Sequence, residues 1–285
     1  MAEIIDGKLL SKTIKEELKL KVIDFENKFG RKITLAVILV GENPASQVYV
    51  KNKVLACEYV GIKSLSFTLP ESASFNDVAE TVKSLGKNDN VDGILVQLPL
   101  PKGIDENKIL SLIPPEKDVD GFLAQNVGNL LLGKDCTVSC TPFGVIQMLK
   151  SKNIELGGKN AVVLGRSNIV GKPMALLLLQ ENCTVTVCHS KTQNLKEICG
   201  NADILVAAIG RAEFVKADMV KEGAVVIDVG INRTENGLKG DVDFENVSKK
   251  ASFITPVPGG VGPMTIAMLM VNTVNCALRR VKIED

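Results

Sequence analysis

The chain has no tryptophan, two tyrosines and one histidine in 285 residues, and aromatic residues make up only 4%. Its core must therefore be built from Val, Ile, Leu and Ala. A Ser-His-Asp triad would hang on His189 alone, which follows a strand and is assigned no role. The formal net charge is +1 and the 34 basic residues are scattered. That excludes the concentrated positive field of a nucleic-acid or membrane-attracted surface. No unbroken apolar run is long enough to span a bilayer. The opening Met1-Ala2-Glu3-Ile4-Ile5-Asp6 lacks the basic start and apolar core of a secretion signal. Cysteines number seven. Cys136 and Cys140 stand four apart, but no second pair completes a zinc site. Reduced buried thiols, no metal and a cytoplasmic location are expected.

Hydrophobic residues reach 45%, enough for one large core or two ordinary ones. Strand and helix signals alternate twice. In the first half, helical spacing over 8–29 precedes a strand at 35–40, a helix opened by Asn43-Pro44 and running to 60, a strand at 65–69, a helix at 75–85 and a strand at 93–98. In the second, strands are expected at 161–164, 185–188, 204–208 and 225–229, with a helix at 171–180 and a closing helix at 263–280. Continuous apolar strands between helices indicate parallel sheets covered on both faces. The boundary falls around 136–141.

Residues 255–265, Thr-Pro-Val-Pro-Gly-Gly-Val-Gly-Pro-Met-Thr, are the most distinctive stretch. Proline fixes φ and glycine permits close backbone approach, so a rigid loop with few side chains can line a flat ligand. A hinge between domains is the plainer reading. Gly165-Arg166-Ser167-Asn168-Ile169-Val170-Gly171 follows a strand and opens a helix, which aims backbone N–H groups and a helix N-terminus at a phosphate. It departs from G-x-G-x-x-G because Ser167 occupies the second glycine position. The next strand ends in His189-Ser190-Lys191-Thr192, with no acid to hold a ribose 2′-hydroxyl. With Arg166 available, this favours NADP over NAD. Ala208-Ile209-Gly210 and Gly230-Ile231 end later strands, where such sheets bind ligands.

Tyr49 and Lys53 lie one helical turn apart. An amine among apolar side chains gives up its proton more readily, which suits proton transfer near neutral pH. The spacing fits equally a lysine whose stem covers the core and whose head reaches water. Gln97 closes an apolar strand before Leu98-Pro99, where a buried amide needs partners. In Lys117-Asp118-Val119-Asp120-Gly121 one carboxylate can accept hydrogen bonds from a heterocycle, or simply form a turn before glycine.

Together these segments resemble the bacterial FolD family of methylenetetrahydrofolate dehydrogenase/cyclohydrolases. The resemblance covers nearly the whole chain, from Tyr49-x-x-x-Lys53 through 92–101, 117–121, Cys140-Thr141-Pro142 and 165–171 to 256–265. It implies two α/β domains flanking a cleft. Residues 1–139 would form the folate-binding catalytic domain, with the helix at 263–285 packed back on it. Residues 140–262 would form a Rossmann-like NADP-binding domain. The implied reactions are NADP-dependent oxidation of 5,10-methylenetetrahydrofolate and hydrolysis of the product to 10-formyltetrahydrofolate, within one-carbon metabolism and purine biosynthesis. Lys53 would move the proton, Gln97 would hold Lys53 and the folate, Tyr49 would stack on the substrate and Asp120 would anchor the pterin. Leu98, Pro99, Pro258, Gly259, Gly260 and Val261 would line the folate. Thr141, Gly165, Arg166, Ser167, Val170, Gly171, Ser190, Ala208, Ile209, Gly210, Gly230 and Ile231 would line the cofactor. A homodimer is implied as well. Two other readings are a shikimate- or amino-acid-type NADP dehydrogenase and a non-catalytic NADP sensor.

Overall fold

The computed structural model describes residues 1–235 and 237–283, with nothing said of the side chains of 282 and 283. In chain order the elements are β1 (Glu3–Ile4), α1 (Gly7–Phe29), β2 (Thr34–Val40), α2 (Pro44–Val60), β3 (Lys63–Leu69), α3 (Phe75–Lys87), β4 (Gly93–Val96), α4 (Glu106–Leu110), α5 (Ala124–Leu131) and α6 (Cys140–Ser151). They continue as β5 (Asn160–Leu164), α7 (Gly171–Gln180), β6 (Thr184–Cys188), α8 (Leu195–Gly200), β7 (Ile204–Ala207), β8 (Val225–Asp228), β9 (Asn232–Thr234), β10 (Gly237–Lys239), α9 (Phe244–Val247), β11 (Phe253–Ile254) and α10 (Val261–Ile283). The expected α/β class and parallel sheets are observed.

Two compact units form. One holds residues 13–129, 135–138 and 266–285, and the other holds 1–12, 130–134 and 139–265. The division differs from the expected one at the start of the chain. Residues 1–12 join the later unit because β1 pairs in parallel with β11, Glu3 opposite Phe253 and Ile4 opposite Ile254.

The first unit is built on a three-stranded parallel sheet, β3-β2-β4. Every residue of β2 is buried, as a central strand covered on both faces requires. α3 starts at a capping box in which Ser74 and Asp77 exchange hydrogen bonds, and it buries Val78, Ala79, Val82 and Leu85. These pack with Ala36, Ile38, Ile94 and Val96. α2 begins at Asn43, whose side chain accepts from the N–H groups of Ala45 and Ser46, and ends at Gly61 in the left-handed region.

The second unit carries a six-stranded parallel sheet in the order β1-β11-β8-β7-β5-β6. From β5 the chain moves first to one side, to β6, and then to the other, to β7 and β8. The order therefore reverses between β5 and β7, and a crevice opens there at the strand carboxyl ends. A small antiparallel hairpin, β9-β10, follows β8. Val261–Val281 is long and apolar enough by length and composition to cross a bilayer, although 61% of that window is buried inside the fold.

Candidate functional site

In the first unit, β4 delivers Gln97 to the carboxyl end of the sheet, where its N–H bonds to the carbonyl of Ile38. The side chain is 8% exposed. Its Nε2 donates to the carbonyl of Leu98 at 2.6 Å, and its Oε1 accepts from Lys53 Nζ at 2.9 Å. The amide is thereby fixed in orientation, and it presents one oxygen to one ammonium group. Lys53 is half-buried on α2, and its head group ends on Gln97. Tyr49, one turn earlier, is exposed on the same helix. The Leu98–Pro99 peptide is cis; Leu98 is half-buried and Pro99 exposed.

The 117–121 segment is divided by residue. Lys117 is 2% exposed, and its Nζ donates to the carbonyls of Leu85, Gly86 and Asn88 at the end of α3. A cation there satisfies carbonyls the helix leaves open. Asp118 is buried, and its carboxylate accepts from Gly121 N–H, Leu123 N–H and Asn126 Nδ2 at 2.8–3.0 Å. Val119 is buried, and its carbonyl accepts from Asn272 Nδ2 at 2.9 Å. Val119 also fills the space that a Cβ on Gly93 would need. Three neighbours are thus spent on structure, and Asp120 remains. Among the described residues its carboxylate accepts no hydrogen bond. Burial pushes its pKa up to about 6, opposed by the positive charge of Lys53 and reinforced by Asp118. A half-buried carboxyl without donors is suited to a ligand that brings its own N–H groups. Sequence reasoning missed the supporting Asn126 and Asn272. An asparagine inside the apolar helix α10 was the available signal for the second.

In the second unit, the 255–263 loop folds against the chain's start. Gly259, at φ +106°, accepts from Lys8 N–H at 2.9 Å. A Cβ on Gly7 would overlap the carbonyl of Gly260. Thr255 Oγ1 accepts from Asp228 N–H. The Val257–Pro258 peptide is cis. The loop walls an open pocket of about 140 Å³ whose other side is 228–231 and Leu238. Gly230, Ile231, Pro258, Gly259, Gly260 and Val261 therefore line one depression.

Gly165 sits at φ +124°, and the carbonyl of Ala208 occupies the space of a Cβ, so only glycine fits. At the start of α7 the N–H groups of Val170, Gly171 and Lys172 find acceptors within the chain. Ser167 Oγ accepts from Val170 N–H at 3.2 Å and from Gly171 N–H at 3.3 Å. The carbonyl of Ser167 accepts from Lys172 N–H, and Pro173 has none to give. The serine at the second glycine position thus braces the turn that leads into α7, whose N-cap is Val170. Its own hydroxyl proton is what remains to be donated outward. Arg166 and Ser190 are exposed beside the turn and after β6, respectively. Thr141, in the first turn of α6, shares a hydroxyl–hydroxyl hydrogen bond of 2.9 Å with Thr265.

Two family models match the chain. Residues 5–120 fit the tetrahydrofolate dehydrogenase/cyclohydrolase catalytic domain, and 139–281 fit the NAD(P)-binding domain of the same family. The bifunctional protein FolD of Campylobacter hominis is 61% identical over 281 residues, covering 98% of this chain and 99% of that relative. A crystal structure of the bifunctional FolD enzyme from Campylobacter jejuni superposes with a TM-score of 0.96 at 54% identity, covering 98% and 100% of the two chains. The Trypanosoma brucei enzyme, solved in complex with NADP cofactor and an inhibitor, gives 0.93 at 40% identity and 98% coverage of both chains. Matches of this extent leave no room for the shikimate-type reading: this chain belongs to the tetrahydrofolate dehydrogenase/cyclohydrolase family.

Proposed function

We propose that this protein is a bifunctional enzyme that oxidises 5,10-methylenetetrahydrofolate and hydrolyses the product. In the first step the methylene carbon loses a hydride, giving the 5,10-methenyl cation. Water then adds to that carbon, one C–N bond breaks and a proton is released, giving 10-formyltetrahydrofolate. NADP⁺, when bound, supplies the hydride acceptor. The observation that carries the reading is the Lys53–Gln97 hydrogen bond in the same unit as the donor-free carboxyl of Asp120.

Each residue has a task that its surroundings support. Lys53 delivers and collects the proton of ring opening, held in place by Gln97. Asp120, as a carboxylate, accepts from the pterin's adjacent N–H groups. Tyr49, exposed on α2, offers a face for the substrate's aromatic part. Leu98 and Pro99 in the one unit, and residues 258–261 in the other, are assigned to the folate. On the nucleotide side, Ser167 donates to a phosphate, Arg166 and Ser190 take the 2′-phosphate, and Gly165 and Gly171 keep the turn close. Val170 belongs to the same turn. Thr141, Ala208, Ile209, Gly210, Gly230 and Ile231 line the rest. The absence of an acid after β6 supports NADP over NAD. We also infer a cytoplasmic homodimer acting in the one-carbon supply of purine biosynthesis.

An absorbance assay tests the reading. Methylenetetrahydrofolate is mixed with NADP⁺ or NAD⁺, and reduced nicotinamide and the methenyl chromophore are followed together. Reduced cofactor with little methenyl accumulation is expected with NADP⁺. Accumulating methenyl would remove the second activity. Turnover with NAD⁺ only would reverse the cofactor assignment, and turnover with shikimate but not folate would overturn the reading.

A further inference from the structure

The nucleotide unit contains a buried pair of carboxylates that the proposed chemistry does not use. Asp241 is fully buried. Its Oδ2 accepts from the N–H groups of Ile209 and Gly210 at 2.6 and 2.9 Å, and its Oδ1 accepts from Arg211 N–H at 2.8 Å. A fourth donor, Asn232 Nδ2, reaches Oδ1 at 3.0 Å. Three consecutive amides can converge on one carboxylate because Gly210 adopts φ +66°. Asp228 fixes the position of Asp241 in turn. Its carboxylate accepts from the N–H groups of Asp241, Val242 and Gly230 at 2.8–3.0 Å. Gly240 and Gly230 have no room for a Cβ, because the Asp228 and Asp241 carboxylates, respectively, fill that space.

The consequence lies on the other side of the loop. The peptides of 208–211 are trans, so each carbonyl points opposite to the N–H that follows it. With the amides of 209–211 held by Asp241, the carbonyls of Ala208, Ile209 and Gly210 face away from that carboxylate. The first of them lies against Gly165, across the switch point between β5 and β7. The loop after β7 therefore offers acceptors where a phosphate would need donors. Asn232 carries the same constraint to the loop after β8.

We propose that Asp241 is a positioning residue of the nucleotide site. It makes the 208–210 loop a row of acceptors for a donor-bearing part of the dinucleotide, ribose hydroxyls or a carboxamide, and leaves the phosphates to the Gly165–Ser167 turn. The inference rests on the NADP reading above. Asp241→Asn is nearly isosteric, but its amide cannot accept from donors on both sides. The KM for NADP⁺ rises about 10-fold, the equivalent of about 1.4 kcal/mol for a weakened charged acceptor, while kcat stays within about twofold. Hydrolysis of methenyltetrahydrofolate without NADP⁺ keeps the parent rate and reports that the protein is folded.

An unchanged KM for NADP⁺ overturns the inference. So does a parallel fall of both activities with no rise in KM, which is the signature of a purely structural role. If Asp241→Asn does not fold, Asn232→Ala removes one of the four donors, and a KM within error of the parent overturns the inference in its place. Failure of the parent enzyme to turn over with NADP⁺ would instead bring down the underlying reading, and the inference with it.

Discussion

Lys53→Met keeps the length of the side chain and removes only its ammonium group. Three consequences can be sized from the structure. Ring opening loses its proton carrier, which costs about 10²–10⁴ in rate, or roughly 3–5 kcal/mol of barrier. Oε1 of the buried Gln97 loses its donor at 2.9 Å, while Nε2 stays on the Leu98 carbonyl. One orphaned acceptor costs about 1–3 kcal/mol of stability, a melting shift of a few degrees in a chain this long. Asp120 loses the cation that holds its pKa down, so the folate KM rises modestly. Hydride transfer needs no proton and should fall by about 10-fold or less, through substrate placement alone. The assay is paired: decay of the methenyl chromophore for hydrolysis, and reduced nicotinamide for oxidation. The variant should accumulate methenyltetrahydrofolate while still forming NADPH. If both rates fall by the same factor, Lys53 is a binding residue and the proton must travel another way.

Other expectations follow from single groups. The raised pKa of Asp120, about 6, means its ionised form is available only above that value, so the folate KM should climb as pH drops from 7 to 5. In the free protein the sign is opposite: the stability this group contributes is complete below about pH 4 and lost as pH rises through 6, which urea unfolding across that window would detect. Lys117→Met strips three carbonyls of their donor and should lower the melting temperature by about 6–12 °C, corresponding to roughly 3 kcal/mol, with the KM values of the surviving folded protein little changed. Ser167→Ala frees the Val170 and Gly171 N–H groups and removes a phosphate donor, so the NADP⁺ KM should rise about 10-fold with methenyl hydrolysis untouched. Equal NADP⁺ affinity in a titration would show that the serine serves the helix only.

Much of this architecture was readable in the residues. The helix at 171–180 and the strands at 35–40, 161–164 and 225–229 differ from their observed ends by one residue or none, because a continuous apolar run between turn residues has few alternatives. α5 and α6 were not read. α6 carries Pro142 and Gly144, which look like breakers. Proline is tolerated in a first helical turn, and Gly144 leaves room for the Met264 side chain. Phe253-Ile254 read as an apolar strand before the Pro-Gly loop, but β1 and its pairing with β11 were invisible, because Glu3–Ile4 has no period and its partner is far away in sequence. Asp118 and Asp120 were indistinguishable by spacing. The backbone donors that engage one and not the other exist only once the loop has closed. Ser167 read as a gap in a phosphate motif; that its hydroxyl accepts from the Val170 and Gly171 N–H groups depends on the folded turn and has no sequence signal.

The pairing of Glu3 with Phe253 also bears on how the molecule is made. On the ribosome, β1 emerges about 250 residues before the strand that receives it, a wait of roughly 12–50 seconds at ordinary rates of elongation. The sheet β3-β2-β4 needs nothing beyond Val96 to form its ladders and can assemble during that interval. The Pro-Gly loop has to wait, because its Gly259 carbonyl and Lys8 amide meet only when nearly all the chain is out. A nascent chain stalled before residue 250 would thus carry a folded three-stranded sheet, an incomplete nucleotide sheet and no finished ligand pocket.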